Sequence, residues 1–117
     1  MKRILFIGLI ICFSANTYAE KKMTKAQAID SLCDSIQDYA KSVMRNRQND
    51  GSAAESIKLI NQGARAEPIS NYMKAIVYDA YSEPKWESEE NKESATAEFA
   101  NKTYMQCVTT FQKVLSK

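Results

Sequence analysis

The last stretch of the chain, from Ser88 to Ser116, limits the possible folds more than any other. Its apolar residues recur at steps of three and four, which is the period of one helix face turned toward a core. They are Ala97, Ala100, Tyr104, Cys107, Val108, Phe111, Val114 and Leu115. The same period follows Thr24, where the inward positions include Cys33. The sequence therefore predicts two long amphipathic helices, each with a cysteine on its buried face.

The first nineteen residues have the pattern of a secretory signal peptide. Lys2 and Arg3 form a basic start, and an apolar run from Ile4 to Phe13 follows it. Thr17 and Ala19 then supply the small residues that signal peptidase requires, which predicts cleavage after Ala19. The mature chain is expected in the periplasm or outside the cell, as one domain over residues 20–117.

Two other interpretations of this start are weaker. The apolar run is about half the ~20 residues that a membrane-spanning helix needs, so an uncleaved anchor is disfavoured. Cys12 raises the possibility of a lipoprotein, but Ile11 stands where that signal needs a small residue. We therefore expect no stable membrane anchor after cleavage.

Charge and composition narrow the classes of function. Once Lys2 and Arg3 are removed, 14 basic residues remain against 14 acidic ones, and no histidine is present. A neutral chain has no overall field to attract nucleic acid or anionic lipid, so neither is an expected partner. Without histidine the chain lacks the commonest general base and the commonest metal ligand. We predict no catalytic residues, no metal site and no cofactor, and hence a protein that is not an enzyme.

Cys33 and Cys107 are expected to form a structural disulfide. An exported chain with two cysteines pairs them by default. Cys33 lies nine residues after Thr24, and Cys107 lies nine residues before Ser116. Antiparallel helices would place both at the same height, roughly 13 Å from one end of the pair. A redox-active or metal-binding pair is disfavoured, because the chain has no C-x-x-C motif and no basic residue flanks either thiol.

Local signals divide the mature chain into four helices. Thr24 caps the first helix, which ends at Asn49-Asp50-Gly51, where Asn and Gly tolerate the left-handed conformation. Ser52 and Glu55 fit a capping box for a short second helix that ends at Gly63. Pro68 suits the first position of a third helix that reaches Ser82.

No stretch alternates with period two for long enough to form a strand. The sequence predicts an all-α fold, a small four-helix bundle whose first and last helices are antiparallel and joined by one disulfide. The expected inward residues of the first three helices are Ile29, Leu32, Cys33, Ile36, Tyr39 or Ala40, Val43, Met44, Ile57, Ile60, Ala64, Ile69, Tyr72, Met73, Ile76, Val77, Ala80 and Tyr81.

Four residues are candidates for contact with a partner. Tyr78 points away from the inward face of its helix, and together with Trp86 on the next loop it would form an exposed aromatic patch. The alternative is that Trp86 covers the core as a lid. Arg45 and Arg47 have the chemistry for bidentate recognition, although cations near a helix C-terminus also complement its dipole. The acidic residues from Glu83 to Glu93 are interpreted as a solvated face.

Scattered residues along the mature chain carry a resemblance. They are Cys33, Met44, Arg47, Gly51, Ala80-Tyr81, Pro84, Phe99, Tyr104 and Cys107. In these the chain resembles a group of small exported helical proteins of Gram-negative bacteria and their prophages. The resemblance implies a periplasmic location and the same disulfide, and it implies no activity.

These observations favour a non-enzymatic periplasmic binding protein, of inhibitor or immunity type, that acts by surface contact with a protein partner. Two alternatives remain. One is an acid- or envelope-stress chaperone, since the overall plan is similar to acid-activated periplasmic chaperones, although their tryptophan beside the first cysteine is absent here. The other is a small-molecule carrier that uses a cavity between helices.

Overall fold

The computed structural model describes residues 23–115, and within that range the chain forms four helices and no strand. They are α1 (Lys25–Gln48), α2 (Ala53–Gln62), α3 (Glu67–Ser82) and α4 (Glu89–Leu115). The predicted all-α class and the four helices are confirmed. The predicted signal peptide and its cleavage after Ala19 lie outside the described residues. No helix within residues 23–115 has the length and apolarity to cross a membrane.

Side-chain caps fix where three of the helices begin. The Thr24 hydroxyl accepts the Gln27 N–H at 3.1 Å, and the Gln27 side chain accepts the Thr24 N–H at 3.0 Å, which completes a capping box. Ser52 accepts the Glu55 N–H at 3.3 Å, and Ser88 accepts the Asn91 N–H at 3.1 Å. Each cap satisfies an N–H group that the helix itself leaves without a partner.

Three local predictions need correction. The capping box at Ser52 is only half formed, because Glu55 makes no return bond to the Ser52 backbone. Pro68 occupies the second position of α3, since the helix begins one residue earlier at Glu67. The left-handed residue after α1 is Asp50, with φ of 67°, and not its neighbours Asn49 or Gly51. A short carboxylate side chain tolerates that conformation better than most non-glycine residues do.

The helices alternate in direction along the chain, and α1 is the shared neighbour of α3 and α4. The α1–α4 pair is antiparallel, with Gln37 donating to Asn101 at 3.0 Å and Cys33 bonded to Cys107. The predicted disulfide joins Cα atoms 5.6 Å apart and is confirmed, as is the antiparallel pairing. Helix α3 runs parallel to α1, and α2 packs against α3.

The apolar side chains form two clusters. The larger one joins all four helices; its buried members are Ala40, Val43, Met44, Ile60, Ile76, Val77, Ala80 and Phe99. The smaller one, named the two-helix end, has contributions from α1 and α4 only: Ile29, Cys33 and Cys107 are buried, and Ile36, Tyr104, Val108 and Phe111 pack against them. The disulfide therefore lies where the fewest helices contribute to the core.

Some residues predicted to face inward are exposed. They are Leu32, Ala64, Ile69, Ala97 and Val114. In their place α4 buries Thr96 and Thr103, whose hydroxyls donate to the carbonyls of Lys92 and Phe99 in their own helix at 2.8 and 2.9 Å. A threonine whose hydroxyl bonds one turn back has its polar atom satisfied, so its side chain is buried at little cost. The buried face of α4 is thus rotated from the one that apolar residues alone indicate.

Position 51 requires glycine because the Asn46 side chain lies close to it. A Cβ at this position would collide with the side-chain amide of Asn46, which donates to Ser56 at 3.3 Å and to the Tyr81 hydroxyl at 3.2 Å. We expect Gly51→Ala to lower the free energy of unfolding by about 1–2 kcal/mol, because Asn46 must give up these bonds. Urea denaturation measures the change.

Gly63→Ala is the matched control for that substitution. A Cβ at Gly63 would meet the guanidinium end of Arg65, a long side chain that can move aside. We expect its free energy of unfolding to stay within about 0.5 kcal/mol of the original protein. Equal losses from the two substitutions would show that Asn46 is not the cause.

Two tyrosines make stability depend on alkaline pH. Burial raises the pKa of Tyr39 and of Tyr72, and the charge of Arg65 partly opposes this for Tyr39. The folded state thus holds these protons more tightly than the unfolded state, whose tyrosine pKa is about 10. Stability is fully present below that pH and falls as pH rises through it.

We therefore expect the urea midpoint to decrease between pH 9 and pH 11, and Tyr39→Phe/Tyr72→Phe to reduce that decrease. The comparison between the proteins isolates the contribution of these two tyrosines. Tyr78→Phe, which changes an exposed tyrosine, is the control. An identical pH dependence in all three proteins would contradict the prediction.

Candidate functional site

The loop from Glu83 to Ser88, between α3 and α4, lies against the C-terminal end of α1 and is held by Gln48. The Gln48 side chain is only 1% exposed. Its Nε2 donates to the Pro84 carbonyl at 2.8 Å, and its Oε1 accepts the Trp86 N–H at 2.8 Å. One buried amide thus satisfies a carbonyl and an N–H group two residues apart, which fixes the backbone at Trp86.

Arg47 and Tyr81 hold the beginning of the same loop. The Arg47 Nε and Nη2 donate to the Glu83 carbonyl at 3.4 and 3.3 Å, and its guanidinium carbon lies 5.4 Å from the centroid of the Tyr81 ring. The Tyr81 hydroxyl donates to the Gly51 carbonyl at 2.6 Å. These bonds tie the end of α3 to the turn after α1.

Lys85 adds an ion pair on the outside of the loop. Its ammonium contacts the Asp50 carboxylate, and this hydrogen bond, together with the Lys85 charge, lowers the pKa of Asp50. Both side chains are accessible to solvent, so the pair contributes little to stability. The pair leaves the Lys85 ammonium group already engaged by a carboxylate.

A groove of about 380 Å³ opens between this loop and α4. Met44, Ala95 and Phe99 form its apolar floor, and Pro84 and Trp86 form the wall on the loop side. Its polar rim consists of Glu83, Asn91, Ser94, Glu98 and Lys102. The groove exists because α4 packs along α1 and makes few contacts with α3. Its volume is within the range of small-ligand sites and is large enough for one or two side chains of a partner.

Trp86 and Tyr78 are both exposed, at 43% and 59%. Trp86 lines the groove together with Met44 and Phe99, whereas Tyr78 lies on α3 and is not among the groove residues. Within residues 23–115 no ring contact joins the two. Of the two aromatic residues Trp86 borders the groove, and a shared aromatic patch with Tyr78 stays a prediction.

Arg45 and Arg47 are also separated. Arg47 is half-buried, and its guanidinium is occupied by the Glu83 carbonyl and the Tyr81 ring. Arg45 is exposed and borders a shallower cleft of about 340 Å³ between α1 and the start of α4, beside Glu89 and Glu93. Positions two apart on a helix point to nearly opposite sides, so the two guanidinium groups face different surfaces, and a joint binding role for them stays a prediction.

The sequence pattern does not single out Gln48, which accepts the Trp86 N–H. It also does not show that Met44 and Phe99 line the same groove as Trp86. One signal for Gln48 exists: it lies four residues after Met44, on the continuation of the inward face of α1. Several residues that carry the resemblance meet at this junction: Met44, Arg47, Gly51, Tyr81, Pro84 and Phe99. In this fold these residues hold the loop in place or line the groove.

Across residues 23–115 no three histidine, cysteine or carboxylate side chains are grouped so as to hold a metal ion. Comparisons with protein-family models, with curated proteins and with solved structures find no match to this chain.

Proposed function

We propose that this chain is an exported, non-enzymatic binding protein that acts by surface contact with a protein partner, in the manner of an inhibitor or immunity protein. The observation that carries the proposal is the position of Trp86. Its side chain is half-exposed beside a groove with an apolar floor, and its backbone N–H donates a partly buried hydrogen bond to Gln48.

A tryptophan held in this way is a suitable anchor for a partner. Tryptophan is enriched among the few residues that dominate interface energies, because its large ring buries much apolar area at small entropic cost. Fixing the loop in advance removes part of the ordering cost that binding otherwise incurs. The polar rim around the apolar floor matches the anatomy of a protein interface.

The exported location rests on two features. Residues 1–19 have the pattern of a signal peptide, and a disulfide is typical of chains in oxidising compartments. We expect cell fractionation to recover the protein from the periplasm or the medium, with an intact mass that begins at Glu20. Recovery of the full 117-residue chain from the cytoplasm would contradict this location.

Site-specific cross-linking tests the binding surface. We would place a photo-cross-linking amino acid at Ser94, on the groove rim, and at Gln112, an exposed position on the same helix, as the control. In producing cells the Ser94 position is expected to give a discrete cross-linked protein that Gln112 does not give. Trp86→Ala should abolish this product, and Tyr78→Ala should leave it. Equal products from both positions, or a product insensitive to Trp86→Ala, would contradict the proposal.

The groove volume also favours a second function, carriage of a small molecule. Native mass spectrometry of protein purified from its own host distinguishes the two. A bound mass that is lost in Trp86→Ala, without a cross-linked protein, would favour the carrier.

A further inference from the structure

We infer that the partner presents a basic segment to the groove, with an apolar side chain on the Met44–Phe99 floor and a lysine or arginine at the rim beside Trp86 and Glu98. The inference rests on the proposed function and names the chemistry of its partner.

The charge around the groove is negative. Residues 83–102, which form the loop and the first half of α4, contain six glutamates and three lysines, a net charge of −3. After Glu98 the chain contains lysines and no acidic residue, so the negative charge is local to this end. A basic partner would thus be attracted to the groove, and the balanced whole chain would not repel it at long range.

The lysines at this end are already paired. Lys85 contacts Asp50, the Lys92 ammonium lies 3.8 Å from Glu89, and the Lys102 ammonium lies 3.9 Å from Glu83. An anionic segment would have to compete with these carboxylates for each lysine. The groove therefore offers little free positive charge.

Several carboxylates, in contrast, have no ion-pair partner within residues 23–115. They are Glu87, Glu90, Glu93 and Glu98, and Glu98 borders the groove itself. The N-terminus of α4 offsets part of this charge, since a helix N-terminus carries about half a positive charge. Glu93 borders a neighbouring cleft together with Lys41 and Arg45, whose charges oppose its own. Of the groove-lining residues, Glu83 is paired with Lys102, so Glu98 supplies the unpaired charge that favours a cation at the rim.

Trp86 adds a second attraction for the same chemistry. An indole face attracts an ammonium or guanidinium group that lies within about 6 Å of its centroid. The apolar floor has no charged atom to match a basic side chain, so it suits the apolar neighbour in the segment. A segment with a basic residue next to an apolar one would contact the rim with the first and the floor with the second.

Trp86 is the only tryptophan of the chain, so its fluorescence reports directly on the groove. The probes are three synthetic octapeptides of glycine and serine with Lys-Leu-Lys, Ser-Leu-Ser or Glu-Leu-Glu at their centre. We expect a saturable change with the Lys-Leu-Lys peptide only, and a several-fold weaker affinity when the salt concentration rises from about 50 to 300 mM. No saturable change up to millimolar Lys-Leu-Lys peptide, or equal binding of the Ser-Leu-Ser peptide, would overturn the inference.

Two substitutions test whether the basic group of the peptide lies beside Glu98. Glu98→Gln is expected to weaken Lys-Leu-Lys binding about two- to fivefold, as the loss of one exposed ion pair does. Glu55→Gln, on α2, is the control and should leave the affinity unchanged. An unchanged affinity in Glu98→Gln would overturn the placement of the basic group.

The cross-linking experiment separates this inference from the proposed function. A partner captured at Ser94 whose capture is insensitive to salt and to Glu98→Gln would overturn the basic segment and keep the binding surface. Failure of both the peptide and the cross-link would overturn both.

Discussion

Replacing both Cys33 and Cys107 by alanine is expected to lower the free energy of unfolding by about 4 kcal/mol, a larger loss than we expect from any other change to this chain. The bridge closes a loop of 74 residues, and in the chain-entropy model a loop of that length accounts for this magnitude. For a domain of this size the loss corresponds to a decrease in melting temperature of about 20 °C. Urea denaturation of the oxidised protein and of the double variant measures it.

Without the disulfide, the two-helix end is expected to lose stability before the rest of the domain. Its small cluster has contributions from α1 and α4 only, whereas the larger cluster joins all four helices. In hydrogen exchange we expect amides of residues 25–36 and 104–115 to lose protection relative to those of α3. Equal loss everywhere would show that the two clusters unfold as one unit.

Reduced wild-type protein is the control for the double variant. It lacks the bridge but keeps both sulfur atoms, so it separates loss of the cross-link from loss of buried volume at two fully buried positions. Similar midpoints for the reduced protein and the variant would assign the effect to the bridge. A difference between oxidised and reduced protein below about 1 kcal/mol would contradict the prediction, since it is far less than the chain-entropy value.

The helices and the disulfide were predictable because their signals are local or periodic. Thr24, Ser52 and Ser88 each cap the helix that follows, and Gly63 ends α2 as expected. The antiparallel pairing followed from two cysteines at equal distance from opposite helix ends. None of these inferences requires knowledge of how distant residues meet.

The core positions were less predictable, because burial depends on where the neighbouring helix ends. Leu32 and Ile69 continue the inward stripes of α1 and α3, yet both are exposed and neither belongs to an apolar cluster. Thr96 and Thr103 are buried because their hydroxyls bond within α4. A hydropathy pattern scores both threonines as polar and places them outside.

The candidate site was only partly predictable. The position of Tyr78 around its helix and the loop position of Trp86 predicted two exposed aromatic residues, and both are exposed. The pattern could not show that Trp86 stands beside Phe99, since the two lie on different elements and meet only through the packing of α4 on α1. The Gln48 contact was hidden for the same reason: its partners are backbone atoms 36 and 38 residues away.

Gln48→Leu is expected to lower the free energy of unfolding by about 2–3 kcal/mol and to loosen the loop that carries Trp86, because it leaves two backbone groups without their partner. The substitution keeps most of the side-chain volume but removes the bonds to the Pro84 carbonyl and the Trp86 N–H. Both bonds are partly buried, so water replaces them only in part. A red shift of the Trp86 emission in the folded protein would accompany the loss of stability.

Two further variants make the Gln48 prediction specific. Gln106→Leu changes an exposed glutamine of α4 and should leave both stability and emission unchanged. Gln48→Glu keeps the acceptor for the Trp86 N–H but, once ionised, has no proton for the Pro84 carbonyl. Burial would raise the pKa of the new carboxyl above its unfolded value of about 4.3, so the variant's stability is retained below that pH and lost as pH rises through the folded pKa. Relative to wild type, Gln48→Glu should therefore be more stable at about pH 4 than at about pH 7, and the opposite order would show that the amide does not donate to Pro84.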